Sequence, residues 1–198
     1  FFQLSLPFDS DRAREISRRI QEEVYFHALA QSVELAAHSG AHGAFEETRA
    51  ARGVFQFELW PGAKLPEDMQ RWEALRARMV QHGLRNSLLI AIAPTATIAS
   101  IAGCYECIEP QVSNLFKRET LSGDFLQINN YLVRDLKALG LWNDSMRNRI
   151  KRADGSIADI GELPASLREV YRTAWEIPMR SLIDMAAERG AYIDQSQS

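Results

Sequence analysis

The run Ser87-Leu88-Leu89-Ile90-Ala91-Ile92-Ala93 constrains this chain more than any other stretch: it is short, continuously apolar, and bounded by Asn86 and Pro94. A strand with one face in water alternates apolar and polar residues, so an unbroken run of this length predicts a strand covered on both faces, as in a parallel sheet flanked by helices. Helical patterns surround it. From Asp9 to Ser39, Ile16, Ile20, Val24 and Ala28 recur at i+4, and Leu29, Val33 and Ala36 continue the stripe. Asp9 or Ser10 can cap that helix, and Gly40 ends it. Pro66-Glu67-Asp68 opens a second helix with Met69, Trp72, Leu75 and Met79 on its apolar face and Gly83 as its stop. Ala41 to Gly53 between them follows neither period and reads as a loop. Helix, apolar strand and loop in that order give an α/β class.

Downstream, Ile98 to Ala102 reads as a short helix, and Val112 to Phe125 as irregular extended structure turning at Ser122-Gly123-Asp124. Asn129 to Leu139 is a helix ended by Gly140, and Asp154-Gly155-Ser156 is a turn. Leu167 to Arg189 is a helix kinked or restarted at Pro178 and ended by Gly190.

At 198 residues and 46% hydrophobic content the chain can build one core of ordinary size. Its net charge of -3 offers no field for a polyanion, so no direct nucleic-acid partner is expected. No apolar run approaches the roughly 18 residues that span a bilayer, so no membrane partner is expected either. The chain opens Phe1-Phe2-Gln3-Leu4, without an initiator Met, a basic n-region or a small-residue cleavage site. That is the expectation for a piece of a longer protein and not for a secreted precursor. With 2 cysteines, Cys104 and Cys107, it fits a reducing compartment, and the cytoplasm is the expected location.

Pro94-Thr95-Ala96-Thr97-Ile98-Ala99-Ser100 follows the apolar run and precedes a helix. Backbone N–H groups at such a position carry the positive end of the helix dipole, and the Thr95 and Thr97 hydroxyls add donors, so the segment suits a phosphate. It lacks the glycines of a dinucleotide fingerprint and the Gly-Lys-Ser/Thr of a P-loop. A threonine that merely caps the helix accounts for the same residues, and both readings stand on the residues alone. Cys104-Tyr105-Glu106-Cys107 has redox or metal spacing, but no second ligand pair completes a zinc site and Cys104 falls at a helix end. Incidental, buried thiols are expected there. His27, His38, His42 and His82 suit surface or helix-end roles. Trp60, Trp72, Trp142 and Trp175 are expected as core anchors.

Arg85 to Thr97 also resembles the phosphate-loop region of the large subunit of class I ribonucleotide reductase. The similarity continues in order through Ile108-Glu109-Pro110, Ser113 to Phe125, Gly140-Leu141-Trp142 and Met185 to Ser198. This resemblance implies a ten-stranded α/β barrel, of which residues 1–198 are the C-terminal part, predominantly helical and incomplete at both ends. It implies reduction of a ribonucleoside diphosphate at the 2′ carbon by a cysteine thiyl radical, making deoxyribonucleotides for DNA synthesis. Thr95, Ala96, Thr97, Ile98 and Ala99 become phosphate contacts, Thr97 foremost, with Pro94 packing close to the substrate. The implied partners are a metal-radical small subunit, thioredoxin or glutaredoxin as dithiol reductant, a second large subunit, and nucleotide effectors such as ATP.

The Asn-Leu-Cys-x-Glu segment that carries the radical cysteine in that family is not among these residues. No catalytic residue, metal ligand or cofactor is therefore assigned within the chain, and alone it is expected to be inactive. The alternative from another class is a noncatalytic phosphate- or nucleotide-binding remnant. A vitamin B12-dependent or glycyl-radical reductase fits less well, since the run from Ser113 to Thr120 looks more like class I.

Overall fold

The computed structural model describes residues 1–120 and 123–195. Contacts divide the chain into two compact units, one of Arg14–Ala96 with Ile183–Ser198, the other of Phe1–Ala13 with Thr97–Leu182.

The first unit is built on α1 (Asp11–Ser39), which ends where Gly40 turns left-handed at φ 80° and donates its N–H to Ala36 O at 2.8 Å. Along the later turns Leu29, Val33 and Ala36 are buried, as the periodicity predicts. Along the earlier turns the prediction fails: Ile20 and Val24 are 59% and 47% exposed, while Ser17, Arg18, Gln21 and Glu22 are buried. Ion pairing makes that burial tolerable. Arg18 Nη1 donates to Glu22 Oε2 at 2.9 Å, and Glu22 Oε1 accepts from Arg71 Nη2 at 3.0 Å, so the buried carboxylate has two cationic partners.

Helix α2 (Met69–His82) is capped by Asp68, whose carboxylate accepts the Arg71 N–H at 3.2 Å, and closed by Gly83. Its Trp72, Leu75 and Met79 pack with Tyr25, Leu29, Phe55, Phe57 and Tyr192 into this unit's core. The loop over 41–53 winds into two 3-10 turns, Phe45–Glu47 and Ala50–Arg52. A third 3-10 turn, Gln56–Leu59, brings Glu58 against Arg76 in a two-pronged pair of 2.8 and 3.0 Å, and Glu58 also accepts the Phe55 N–H at 2.8 Å. The Arg76 hydrogen bonds hold the Glu58 carboxyl below the usual 4.5, against a smaller desolvation effect of opposite sign. Folding thus favours the ionised form: its stabilisation is complete above the usual value and is lost as pH falls through the lowered one. Glu58→Gln is expected to flatten the acid limb of stability against pH below about 4.5, measured by urea unfolding across that range. An unchanged acid limb would contradict the pairing.

In the second unit, Ser10 caps the start of α1, its hydroxyl accepting the Ala13 N–H at 3.1 Å, and Asp9 instead pairs with Arg172. Strands β1 (Leu115–Thr120) and β2 (Gly123–Ile128) form an antiparallel hairpin in register from Leu115↔Ile128 to Thr120↔Gly123. Of the stretch Val112 to Phe125 expected to be irregular, 115–120 and 123–125 thus lie in a regular ladder, while 112–114 are irregular. Of its expected turn, Ser122 lies outside the described residues, and Gly123 and Asp124 open β2. Helix α4 (Asn130–Ala138) is capped by Asn129, and α5 (Asp144–Arg152), which the periodicity did not indicate, by Asn143. The single long helix expected after Leu167 is two: α6 (Ala165–Val170) and α7 (Met179–Gly190), the latter starting directly after Pro178. Leu115, Leu132, Leu136, Met146, Ile150, Ile157 and Tyr171 form this unit's core.

Among the described residues the hairpin is the only sheet with assigned strands. The expected strand Ser87–Ala93 is a correction: among the described residues it joins no ladder and carries one isolated bridge, at Ile92, and Leu88 is 54% exposed. No described helix is long and apolar enough to cross a membrane.

Candidate functional site

The expected phosphate segment is reached through a stretch gripped at two points. At its start, Arg85 N–H donates to Ser32 O at 3.1 Å, Asn86 N–H donates to Ser32 Oγ at 3.0 Å, and the Ser32 hydroxyl donates to Asn86 Oδ1 at 3.1 Å. Four residues on, the Asp194 carboxylate accepts the Leu89 N–H at 3.0 and 3.1 Å and the Ile90 N–H at 2.7 Å, while Gln195 N–H donates back to Ile90 O at 3.1 Å. Successive N–H groups of a regular strand point to opposite sides. One acid receiving both does not fit a regular strand at Leu89–Ile90.

The chain then passes through Pro94 and Thr95 into α3 (Ala96–Ala102). Thr95, half-buried, immediately precedes the helix, and Thr97, exposed, lies in its first turn. Pro94, Ala96 and Ile98 are exposed, Ile98 to 70%, and Ala99 is buried. Of the six residues, Pro94, Ala96, Thr97 and Ile98 are exposed, Thr95 is half-buried and Ala99 is buried. Helix α3 begins two residues earlier than its periodicity indicates, so both threonines fall at its opening.

Beyond α3 the backbone reverses at Gly103 (φ 69°), with Cys104 N–H donating to Ala99 O at 3.0 Å. Cys104 is exposed and Cys107 partly so, both as free thiols, which corrects the expectation of buried ones. Cys107 adopts φ 59° and, with Tyr105, Ile108 and Phe2, lines an apolar cavity of about 260 Å³ within the second unit. The Tyr105 hydroxyl accepts the Val112 N–H at 3.1 Å, and burial raises its pKa above 10.0. Among the described residues no group of three His, Cys, Asp or Glu side chains is placed to hold a metal ion. His27 and His38 are exposed beside Glu23 and Glu34, and Trp60 and Trp175 are exposed where core positions were expected.

A buried polar centre escaped sequence reasoning as a functional group of residues. Asn114 Nδ2 donates to Gly155 O at 3.0 Å and Tyr171 O at 2.7 Å, Asn129 Nδ2 donates to Asn114 Oδ1 at 2.9 Å, and the Ser113 hydroxyl lies within 2.7 Å of Asp154 O and 2.8 Å of Leu115 O. It joins the foot of the hairpin to the 154–155 turn.

The sequence matches the family described as ribonucleotide reductase, barrel domain, over residues 1–198. The chain belongs to that family. It is 45% identical over 198 residues to the ribonucleoside-diphosphate reductase large subunit of Caenorhabditis elegans, covering 100% of this chain and 25% of the relative. The large chain 2 of Saccharomyces cerevisiae is likewise 45% identical, with 23% of it covered. The class Id ribonucleotide reductase alpha subunit of Actinobacillus ureae superposes with a TM-score of 0.71 and 26% identity, over 99% of this chain and 29% of that one. The chain thus spans about a quarter of the length of the curated relatives it matches. Its mostly helical architecture with a small sheet is that of a portion of the ribonucleotide reductase α/β barrel.

Proposed function

We propose that this chain is the C-terminal part of the barrel of a ribonucleoside-diphosphate reductase large subunit, and that Pro94–Ala99 holds the diphosphate of the substrate. The observation that carries the reading is the placement of Thr95 and Thr97 at the opening of α3, in a chain that belongs to the ribonucleotide reductase barrel family throughout its length. An anion over that opening receives N–H donors from the first turn and hydroxyl donors from both threonines, each bond strengthened by the charge of the acceptor. Pro94 fixes its own φ and restrains the preceding residue to extended backbone, which limits the ways the loop can enter the helix.

On this reading the chain's residues bind and orient. The hydroxyl and backbone donors fix the diphosphate, and the ribose is thereby held against a radical cysteine carried elsewhere in the large subunit. The small subunit supplies the radical, a dithiol protein such as thioredoxin or glutaredoxin returns the electrons, nucleotides regulate a large-subunit dimer, and the cytoplasm is the compartment.

Thr95→Val with Thr97→Val, in the full large subunit, preserves side-chain shape and β-branching while removing both hydroxyls. Ribonucleoside diphosphate is expected to bind at least tenfold more weakly, since a hydrogen bond to a charged group contributes about 1.5–3 kcal/mol, and the unphosphorylated nucleoside is expected to bind as before. Titration calorimetry with both ligands checks this. Diphosphate binding as tight as in the unaltered protein would sink the phosphate role.

A further inference from the structure

We infer that the uncovered apolar sector of α1 is an interface within the large subunit, covered by the outer face of barrel strands that lie outside this chain; this rests on the reading of the chain as part of that subunit. An α-helix advances about 100° per residue, so Ile20, Gln31, Val24, Leu35 and Ala28 fall in that angular order within a sector of about 80°. Ile20, Val24 and Leu35 are exposed and Ala28 is half-buried, and among the described residues none of these four joins either core. One edge of the sector adjoins Gln21 and Ser32, which are buried. The other adjoins His27 and Glu23, which are exposed and lie 3.6 Å apart. The apolar arc of α1 thus runs about 80° past the part that this chain covers and stops where the charged face begins. A helix meant to meet water along that arc would carry polar residues there.

The size and chemistry of the sector select its occupant. Apart from Gln31 it is aliphatic, and all of it is neutral, so it offers no charge to a partner. A stable interface between separate chains takes about 20–30 residues a side, far more than this sector presents. A segment of the same chain needs no such area, because the covalent connection already holds it near. The rest of the subunit also has the matching surface. This chain spans about a quarter of the length of its relatives and belongs to a barrel family, yet among the described residues the sheet with assigned strands is a two-stranded hairpin. Two strands cannot close a barrel, so most of its strands belong to the remainder of the subunit. Strands of an α/β barrel are rich in Val, Ile and Leu on the face that helices cover. Helix sector and strands each lack, when apart, the cover that the other provides.

The test uses the full large subunit, with Ile20→Cys, Val24→Cys and Leu35→Cys made singly and maleimide labelling at each site read by peptide mass spectrometry. In dilute subunit, without the small subunit, each introduced thiol is expected to react about a hundredfold more slowly than in the same variant unfolded in urea, because labelling waits for local opening. Rates within about threefold of the unfolded ones, as for an exposed thiol, would overturn the inference. Protection that appears only as the subunit is concentrated would assign the sector to a second copy, and protection that appears only with the small subunit would assign it to that partner; either result overturns the inference. Should the variants fail to fold, hydroxyl-radical oxidation of the unaltered subunit decides: Ile20, Val24 and Leu35 are expected to be oxidised far less than in urea, and equal oxidation would overturn it. A native product no longer than this chain would remove the large-subunit reading and the inference with it, whereas reactive thiols within a longer subunit would remove the inference alone.

Discussion

Gly155→Ala is expected to cost about 4 kcal/mol or more and to unravel the foot of the hairpin, whereas Gly140→Ala costs about 1 kcal/mol. Both glycines have left-handed backbone, at φ 87° and 70°, so both alanines carry the roughly 1–2 kcal/mol penalty of a Cβ in that region. Surroundings separate them. A Cβ at 140 meets nothing within 4 Å, but one at 155 would stand 1.9 Å from Ser113 Oγ, 2.7 Å from Asn114 N and 2.9 Å from Leu115 N. The hydroxyl could rotate away; the two backbone nitrogens cannot. Relief requires moving the 154–155 turn off the hairpin, which strips Asn114 Nδ2 of Gly155 O and the Ser113 hydroxyl of Asp154 O. Each buried polar group left unpaired costs about 1–3 kcal/mol. Urea unfolding of both variants checks the difference, and hydrogen exchange at Leu115 locates it. Stabilities within about 1 kcal/mol of each other would show that the turn is softer than its packing implies.

What the sequence made legible follows the range of the interactions responsible. Caps and stops act within one turn, so Asp68 and Gly83 bound α2 as read, and Gly40 ends α1. The candidate site was legible for the same reason, being consecutive residues from Pro94 to Ala99. Asp194 was not, because its partners are 104 and 105 residues away and neither end carries a local signal. The same distance hid the early turns of α1. Hydropathy ranks Ile20 and Val24 above Arg18 and Glu22, but it cannot see that Arg71, 49 residues on, completes the charge pairing that lets Glu22 be buried. The apolar run 87–93 fits a strand by composition, and composition does not show that Leu89 and Ile90 give their N–H groups to a distant acid. Helix α5 was missed for the opposite reason: its buried positions are Met146 and Ile150 in an otherwise polar nine-residue segment, too few for a stripe, and the Asn143 cap is the signal that could have found it.

Trp72→Ala is expected to cost about 3–5 kcal/mol and Trp72→Phe about 1 kcal/mol or less, a contrast set by two opposing effects. Trp72 is fully buried, and Phe26, Phe55 and Phe57 meet it edge-on with centroids 5.1, 5.0 and 4.9 Å away. Edge-to-face pairs add about 0.5–1.5 kcal/mol each beyond area burial. Alanine forfeits all three and leaves a cavity between α1, α2 and the 55–57 turn. Phenylalanine keeps a ring for those contacts and loses only the second ring's volume. It also deletes a buried indole N–H that finds no acceptor among the described residues, a group whose desolvation costs about 1–3 kcal/mol in the folded protein. The lost volume and the relieved N–H then nearly cancel. Urea unfolding of the two variants measures both terms. A Trp72→Phe cost as large as that of Trp72→Ala would mean that shape complementarity, and not aromatic area, governs this core. A cost near zero for both would mean that Trp72 does not anchor it.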